Sequence, residues 1–204
     1  MDTPILKIFT DYVCPWCYLS HARLKKTIKY YNIKTQIIHF PLHPDTPDKG
    51  RNLLNLFQCT SDELKQKNMM MGQLMKEENL EYSYREFTYN SRLAQELGYW
   101  AEIKYENIDI HDKIYEAYFK FKLNINEKEV LLDIISNLNL PKNEAKDVLS
   151  NRVYKNEIDK HWQLSYKVGV TGVPTYILNK NYLVGAQDNK NFKSLFHIEN
   201  VTLK

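Results

Sequence analysis

Hydrophobic positions in the first 42 residues follow two different periods. Short apolar runs extend from Ile5 to Phe9 and from Thr35 to Leu42, and between them apolar residues recur at helical spacing from Pro15 to Tyr31. A short apolar run is typical of a strand, whereas steps of three and four residues place side chains on one face of a helix. The pattern therefore predicts strand, helix and strand in this order.

The middle of the chain has a helical pattern. A proline-rich turn at residues 41–48 marks a boundary, and helical spacing extends from about Ser61 to Ser150. Within this stretch, Asn126 with Glu129 three residues later is similar to a capping box at a helix start, and Pro141 begins a short helix that ends near Leu149.

The last quarter returns to a mixed pattern. We expect a helix at about Val153 to Val168 with Gly169 as its C-cap, then a hairpin at residues 173–186, then a final helix from about Asn189 to His197. These elements predict an α/β domain made of residues 1–42 and 151–204, with residues 43–150 inserted as a helical domain.

The first helix begins with two cysteines at the spacing Cys14-Pro15-Trp16-Cys17. Pro15 suits the first helical position, so we expect Cys14 to cap the helix at its exposed start. Free backbone N–H groups and the helix dipole favour a thiolate there. Cys17 should lie one turn further on, on the same buried face as the apolar residues Leu24, Ile28 and Tyr31. This arrangement is that of a dithiol redox centre.

Two other interpretations of the cysteine pair remain open. The pair could form half of a zinc site, with His21 as a third ligand, but there is no second C-x-x-C and no evident fourth ligand. The cysteines could also be incidental. The strand that precedes them and the helix that follows favour a redox motif, and we expect no bound metal.

A second motif lies late in the chain and carries a family resemblance. Gly169 to Thr175 reads Gly-Val-Thr-Gly-Val-Pro-Thr and precedes the first strand of the predicted hairpin. Together with the cysteine motif it resembles the thioredoxin superfamily. That resemblance implies a thioredoxin-like fold with a large all-helical insertion. It also implies that Pro174 follows a cis peptide bond and packs against the cysteine pair.

Further motifs narrow the resemblance to the DsbA-like branch often called FrnE-like. They are the N-terminal segment Asp11 to Cys17, the segment Tyr89-Asn90-Ser91-Arg92, and Ala94. Relatives of this branch include kappa-class glutathione transferases and 2-hydroxychromene-2-carboxylate isomerases. The resemblance covers nearly the whole chain.

The motifs and the resemblance together suggest roles for the site residues. Cys14 is expected to be the nucleophile and Cys17 the resolving thiol, and the two form the redox-active disulfide. Substrate contacts are expected from Pro15 and from the aromatic surface of Trp16. In the late loop, Val173 is expected to offer backbone hydrogen bonds to an extended substrate beside Pro174.

Several other residues carry weaker signals. Asp11 could be a proton shuttle for Cys17 or a hydrogen-bond acceptor in the loop, and its place at a strand end favours the loop. Cys59 is expected to be a small buried apolar residue. Arg92, with Ser91 beside it, could face a cleft or form a salt bridge. The remaining candidates, which show no metal-ligand spacing, are His39, His43, His111 and His161.

Composition and charge exclude some functions and leave others. The chain of 204 residues is 43% hydrophobic and 26% charged with a net charge of +3, as in ordinary globular proteins. It has no basic run that favours nucleic acid and no apolar run that favours a membrane. The N-terminus has no signal-peptide pattern, which leads us to expect a cytoplasmic protein. Dithiols there are normally kept reduced, so reductase, isomerase or redox-response roles come into consideration.

The sequence therefore predicts a DsbA-like thiol–disulfide oxidoreductase that needs no cofactor. Its expected partners are a disulfide-containing protein or a small thiol such as glutathione. One alternative is a glutathione-dependent isomerase or transferase of the same fold, although those relatives typically carry a serine near the Cys14 position and lack the second cysteine. The other alternative is a non-catalytic binding or holdase module, which would leave the Cys14/Cys17 pair unexplained.

Overall fold

The computed structural model describes residues 3–204, which form two compact units. The first unit comprises the chain up to Leu42 together with His161–Lys204, and the second comprises His43–Lys160. Helix α8, Lys155–Lys167, extends across the boundary between them.

The first unit is built on a four-stranded mixed sheet with the strand order β2-β1-β5-β6. Strands β1 and β2 are parallel, and a parallel pair needs a crossover, which α1 supplies. Strand β5 pairs antiparallel with β1 and with β6. The elements of this unit, besides the end of α8, are β1 Ile5–Thr10, α1 Pro15–Ile28, β2 Lys34–His39, β5 Thr175–Leu178, β6 Asn181–Val184 and α9 Asn189–Ile198.

Apolar side chains of the strands form a core on each face of this sheet, because successive side chains in a strand point to opposite faces. On one face, Leu6 and Ile8 of β1 pack with Leu24 of α1 and with α9, whose Phe192 is fully buried. On the other face, Phe9 belongs to a separate cluster, with Ile38, Phe40, Val170 and Ile177. Each fully buried aliphatic or phenyl side chain contributes roughly 1.5–3 kcal/mol. The sheet is thereby anchored on both sides of the strand that leads into the cysteine motif.

The second unit is mainly helical and also contains a two-stranded sheet of β3 and β4. Gly50 precedes this sheet with φ +88°, and a Cβ there would lie 2.7 Å from the Tyr89 ring, so only glycine fits. The elements of this unit, besides the start of α8, are β3 Arg51–Asn52, α2 Leu53–Phe57, α3 Ser61–Glu77, β4 Phe87–Thr88, α4 Arg92–Tyr105, α5 Asp109–Phe119, α6 Lys128–Asn137 and α7 Lys142–Asn151.

Expected and observed boundaries differ in several places. The predicted capping box at Asn126 and Glu129 is wrong: α6 begins at Lys128 with Glu127 as N-cap, and the side-chain amide of Asn126 donates to Asp48 Oδ1 at 3.0 Å. A capping box does occur at α3, between Thr60 and Glu63.

The second compact unit ends at Lys160. The last residues of this unit contact its earlier helices. The ring centroids of Tyr154 and Tyr99 lie 5.5 Å apart, and Asp159 forms an ion pair with Arg92 at 2.7 Å. Whether the two units fold independently as domains stays a prediction. Within residues 3–204, no helix combines the length and the apolar character that crossing a bilayer would require.

Candidate active site

The turn between β1 and α1 is fixed by Asp11, whose side chain is fully buried. Its Oδ1 accepts from the Val13 amide at 3.1 Å and its Oδ2 from the Leu42 amide at 3.0 Å, while its backbone oxygen accepts from the Cys14 amide. Both carboxylate oxygens thus hold backbone N–H groups, which is the loop role that the sequence favoured. The Asp11 carboxylate therefore holds the backbone of the turn that leads from β1 into α1.

Cys14 is the N-cap residue of α1 and Pro15 occupies the first helical turn, which confirms this part of the expected helix start. The Cys14 side chain accepts no hydrogen bond from the helix N-terminus. Its Sγ instead donates to the backbone oxygen of Val173 at 3.5 Å, across 159 residues of sequence. The structure therefore brings the two sequence motifs together at the first cysteine.

The expectation of an exposed Cys14 is wrong. Its relative exposure is 3%, whereas that of Trp16 is 38%. Cys14 is buried because its side chain turns toward the Val173 carbonyl, while Trp16 lies on the outer side of the first helical turn. The accessible surface beside the thiol is thus mostly that of the indole, with Pro15 half-buried between them.

Cys17 lies one turn into α1 and is buried, and neither it nor Cys14 is in a disulfide. Burial raises the pKa of the Cys17 thiol well above its ordinary value, and a hydrogen bond to Cys14 and the charge of Cys14 raise it further. Hydrogen bonds from the Thr10 side chain and the Asp11 backbone act in the opposite direction on this pKa but do not outweigh burial. Cys17 is therefore held as a neutral thiol at physiological pH.

The loop that contacts Cys14 is fixed at both ends. The Val173–Pro174 peptide bond is cis. On one side the Thr175 hydroxyl donates to the Gly172 oxygen at 2.8 Å, and on the other the Gly185 amide donates to the Pro174 oxygen at 2.8 Å. Pro174 is buried and Val173 is half-buried, so the Val173 backbone lies between the core and the surface.

A buried polar contact behind the cysteines was missed by the sequence analysis. The Tyr176 hydroxyl donates to Ser20 Oγ at 2.6 Å, and Ser20 also accepts from the Gln187 amide at 3.3 Å. Burial raises the pKa of Tyr176. The signal in the sequence was Ser20 itself, a polar residue one turn after Cys17 on the face of α1 predicted to be buried.

The weaker candidates lie elsewhere or in structural contacts. Arg92 forms a salt bridge with Glu96 at 2.8 Å in addition to its ion pair with Asp159. His39 donates its backbone N–H to His161 Nδ1 at 3.2 Å. Cys59 is half-buried rather than buried. Across residues 3–204, no group of three or more His, Cys, Asp or Glu side chains could hold a metal ion.

Comparison with known proteins places the chain in a family. The model of the DSBA-like thioredoxin domain matches residues 5–197. The chain belongs to this family. A curated relative, the uncharacterized protein YwbO of Bacillus subtilis, is 22% identical over 196 residues, which cover 92% of this chain and 93% of YwbO.

Solved structures agree with the family at the level of fold. The probable DsbA oxidoreductase SCO1869 of Streptomyces coelicolor is similar with a TM-score of 0.88 at 21% identity, covering 97% of this chain and 90% of that one. A 2-hydroxychromene-2-carboxylate isomerase has a TM-score of 0.74 at 15% identity, covering 96% and 94%. The cytosolic disulfide reductase DsbM of Pseudomonas aeruginosa, solved with GSH, has a TM-score of 0.69 at 17% identity, covering 96% and 98%. These neighbours share the fold of this chain.

Proposed function

We propose that the protein is a thiol–disulfide oxidoreductase that uses Cys14 as nucleophile and Cys17 as resolving thiol. The observation that carries this proposal is the contact between Cys14 Sγ and the Val173 oxygen at 3.5 Å. It places the first thiol of a C-x-x-C helix start against the loop that precedes Pro174. Trp16 and the Val173 backbone then form the substrate contacts, with Pro15 and Pro174 shaping the surface beside the thiol.

The proposed reaction proceeds through two exchanges. The Cys14 thiolate attacks one sulfur of the substrate disulfide, and the other substrate sulfur leaves as a thiolate and takes up a proton. Cys17 then loses its proton and attacks Cys14 Sγ, which releases the second substrate thiol and forms the Cys14–Cys17 disulfide. The substrate gains two electrons and two protons, and the protein dithiol loses them. Two molecules of an external thiol then reduce the Cys14–Cys17 disulfide in two further exchanges and leave as their own disulfide, which restores the protein dithiol.

We propose the cytoplasm as the location and glutathione as the small thiol that reduces the protein disulfide. The support is the DsbM neighbour, described as a cytosolic disulfide reductase and solved with GSH. In a reducing compartment the thiol pool keeps the Cys14/Cys17 pair reduced between turnovers, which favours reduction of substrates.

Trapping of the intermediate tests the mechanism. Cys17→Ser should accumulate mixed disulfides between Cys14 and insulin or oxidised glutathione, because no thiol remains to resolve them. Cys14→Ser should abolish exchange, and Cys59→Ser is the matched control that should leave insulin reduction unchanged. Adduct mass and turnover should be measured on the same samples.

The glutathione-dependent alternative makes the opposite prediction for one variant. An isomerase or transferase that uses a single thiol would retain full multiple-turnover activity with glutathione in Cys17→Ser. That result would reject the dithiol mechanism. If instead wild-type protein shows no exchange with insulin or with glutathione, the oxidoreductase assignment itself fails and a binding module becomes the better explanation.

A further inference from the structure

Within residues 3–204, one buried arginine of the second unit, Arg85, has no carboxylate partner. Arg85 is only 7% exposed, and among residues 3–204 none of its contacts is with an Asp or Glu side chain. Its Nε–H donates to the Tyr82 hydroxyl at 3.1 Å and its Nη1 to the Tyr118 hydroxyl at 2.6 Å. A buried positive charge is costly unless a negative group compensates it, so this arrangement needs an explanation.

The two tyrosines give Arg85 only part of that compensation. Each hydroxyl also donates a hydrogen bond of its own: Tyr82 to Asn68 Oδ1 at 3.1 Å and Tyr118 to the Phe87 backbone oxygen at 3.1 Å. The guanidinium also lies over three aromatic rings, with the nearest centroid, that of Phe119, at 4.9 Å. A guanidinium has five N–H donors, and within the described residues two of them have acceptors. Three donors remain for another group.

A cavity of about 190 Å³ adjoins this arginine, and both Arg85 and Tyr118 line it. Its charged lining residues are Arg85, Lys122 and Glu86, which sum to one positive charge. The remaining lining residues are aromatic: Tyr84, Phe87 and Tyr89. Lys122 is exposed and has no ion pair among residues 3–204, so its charge is also available to a ligand.

We propose that this cavity binds the carboxylate of a small organic acid, with Arg85 as a bidentate anchor and Lys122 as a second positive charge. The planar fork of a guanidinium matches the two oxygens of a carboxylate. Aromatic walls favour an acid with a flat apolar body over a bare inorganic anion. The volume is below the usual 300–1,000 Å³ of drug-sized ligand sites, which restricts the ligand to a small molecule.

The wild-type full-length protein provides the first test, with benzoate and its neutral isostere benzamide as probes. Calorimetric titration in a buffer free of carboxylate and phosphate should show saturable binding of benzoate and at least tenfold weaker binding of benzamide. Equal binding of the two, or no saturable binding of benzoate, would overturn the proposal. Inorganic phosphate that binds as tightly as benzoate and competes with it would also overturn it, since the site would then be a general oxoanion site.

Two lysine variants provide a matched comparison. Lys122→Gln should weaken benzoate binding about two- to fivefold, the range expected for an exposed charge. Lys120→Gln makes the same change in net charge two residues away, but Lys120 pairs with Glu81 and does not line the cavity, so it should leave the affinity unchanged. Equal effects of the two variants would reject the assigned role of Lys122.

Arginine variants test the anchor directly. Arg85→Gln should abolish benzoate binding, and Arg85→Lys should weaken it because the charge remains but the fork is lost. Retention of wild-type affinity by a folded Arg85→Gln protein would refute the anchor. If both arginine variants fail to fold, the benzoate and benzamide comparison together with the lysine pair still decides the proposal.

Discussion

The two thiols of the cysteine motif differ in environment although both are buried. Cys14 donates to a backbone oxygen of a distant loop. Cys17 is buried one turn into α1, within hydrogen-bonding distance of Thr10 at the end of β1 and of the Asp11 backbone. Burial, together with the hydrogen bond and charge of Cys14, raises the pKa of Cys17. The residue that attacks second in the proposed mechanism thus gives up its proton less readily than an ordinary cysteine.

Alkylation should reveal this difference as a dependence on pH. In a Cys59→Ser background, iodoacetamide at pH 7 should modify Cys17 more slowly than Cys14, because the thiolate is the reactive form and the pKa of Cys17 is raised. Labelling of Cys17 should increase as the pH rises beyond the ordinary cysteine range, since the raised pKa moves its ionisation upward. Peptide mass spectrometry over a pH series measures both rates. Equal labelling of the two cysteines at pH 7 would contradict the prediction.

At the scale of elements, Glu144 joins α7 to α4. Its Oε1 accepts from Trp100 Nε1 at 2.8 Å and from Lys104 Nζ at 2.5 Å, and its Oε2 accepts from the Tyr105 hydroxyl at 2.6 Å. The hydrogen bond from Lys104, followed by those from Tyr105 and Trp100, lowers the pKa of Glu144 to about 2. One partly exposed carboxylate thus holds three donors of a helix that lies about forty residues earlier in the sequence.

Replacing this carboxylate should change both stability and its pH dependence. Glu144→Gln should lower the melting temperature by a few degrees at pH 7, because the folded state favours the ionised carboxylate. A lowered pKa contributes stability above the ordinary carboxyl range and loses it as the pH falls toward about 2, so the two proteins should converge over that interval. Calorimetry at several pH values measures the difference. Glu129→Gln, an exposed change of the same charge, should shift the melting temperature less; an equal shift would argue against the Glu144 contacts.

Local elements were predictable because each depends on residues close in sequence. The start of α7 after Pro141 and the cap of α1 at Cys14 follow from short-range backbone rules. Contacts between distant residues were not predictable in this way. Strands β3 and β4 have two residues each, too few to show a period of two, and nothing local to Arg85 identifies Tyr118 as its partner.

In the candidate site, too, the local motifs were predictable and the contacts between distant residues were not. The cysteine spacing and the Val-Pro-Thr motif identified the residues that the structure brings together, since each motif is short and its resemblance is specific. The burial of Cys14 was not predicted, because a helix start is exposed by default and only the Val173 carbonyl, from another segment, changes this. Asp11 was predicted as a loop acceptor, but its bond to Leu42 depends on how the sheet folds.

At the scale of the whole molecule, the two compact units differ in how the chain builds them. The second unit is one continuous segment. The first unit is assembled from the two segments that precede and follow the second unit in the sequence. The second unit is continuous and has buried residues of its own, such as Leu97 and Trp100 of α4, which are the features of a domain that folds alone. We therefore propose that the second unit is an independent helical domain.

Expression of residues 43–167, which retain all of α8, tests this proposal. The fragment should show a helical circular dichroism spectrum and one cooperative thermal transition. Leu97 is fully buried, so Leu97→Ala in the fragment should lower its stability by about 2–5 kcal/mol. A gradual loss of signal on heating, unaffected by Leu97→Ala, would show that this unit depends on the rest of the chain.

The bond from Cys14 Sγ to the Val173 oxygen makes the loop sensitive to the chemical state of the cysteine. Only a protonated thiol can donate this bond, since a thiolate, a mixed disulfide and an internal disulfide have no proton on sulfur. The Val173 carbonyl therefore accepts this bond in the thiol form and loses it in the forms of Cys14 that carry out exchange in the proposed mechanism. In the proposed mechanism, that acceptor is free for a peptide N–H of the substrate at the stage when a substrate sulfur is joined to Cys14, so covalent attachment of the substrate and docking of its backbone would be coupled.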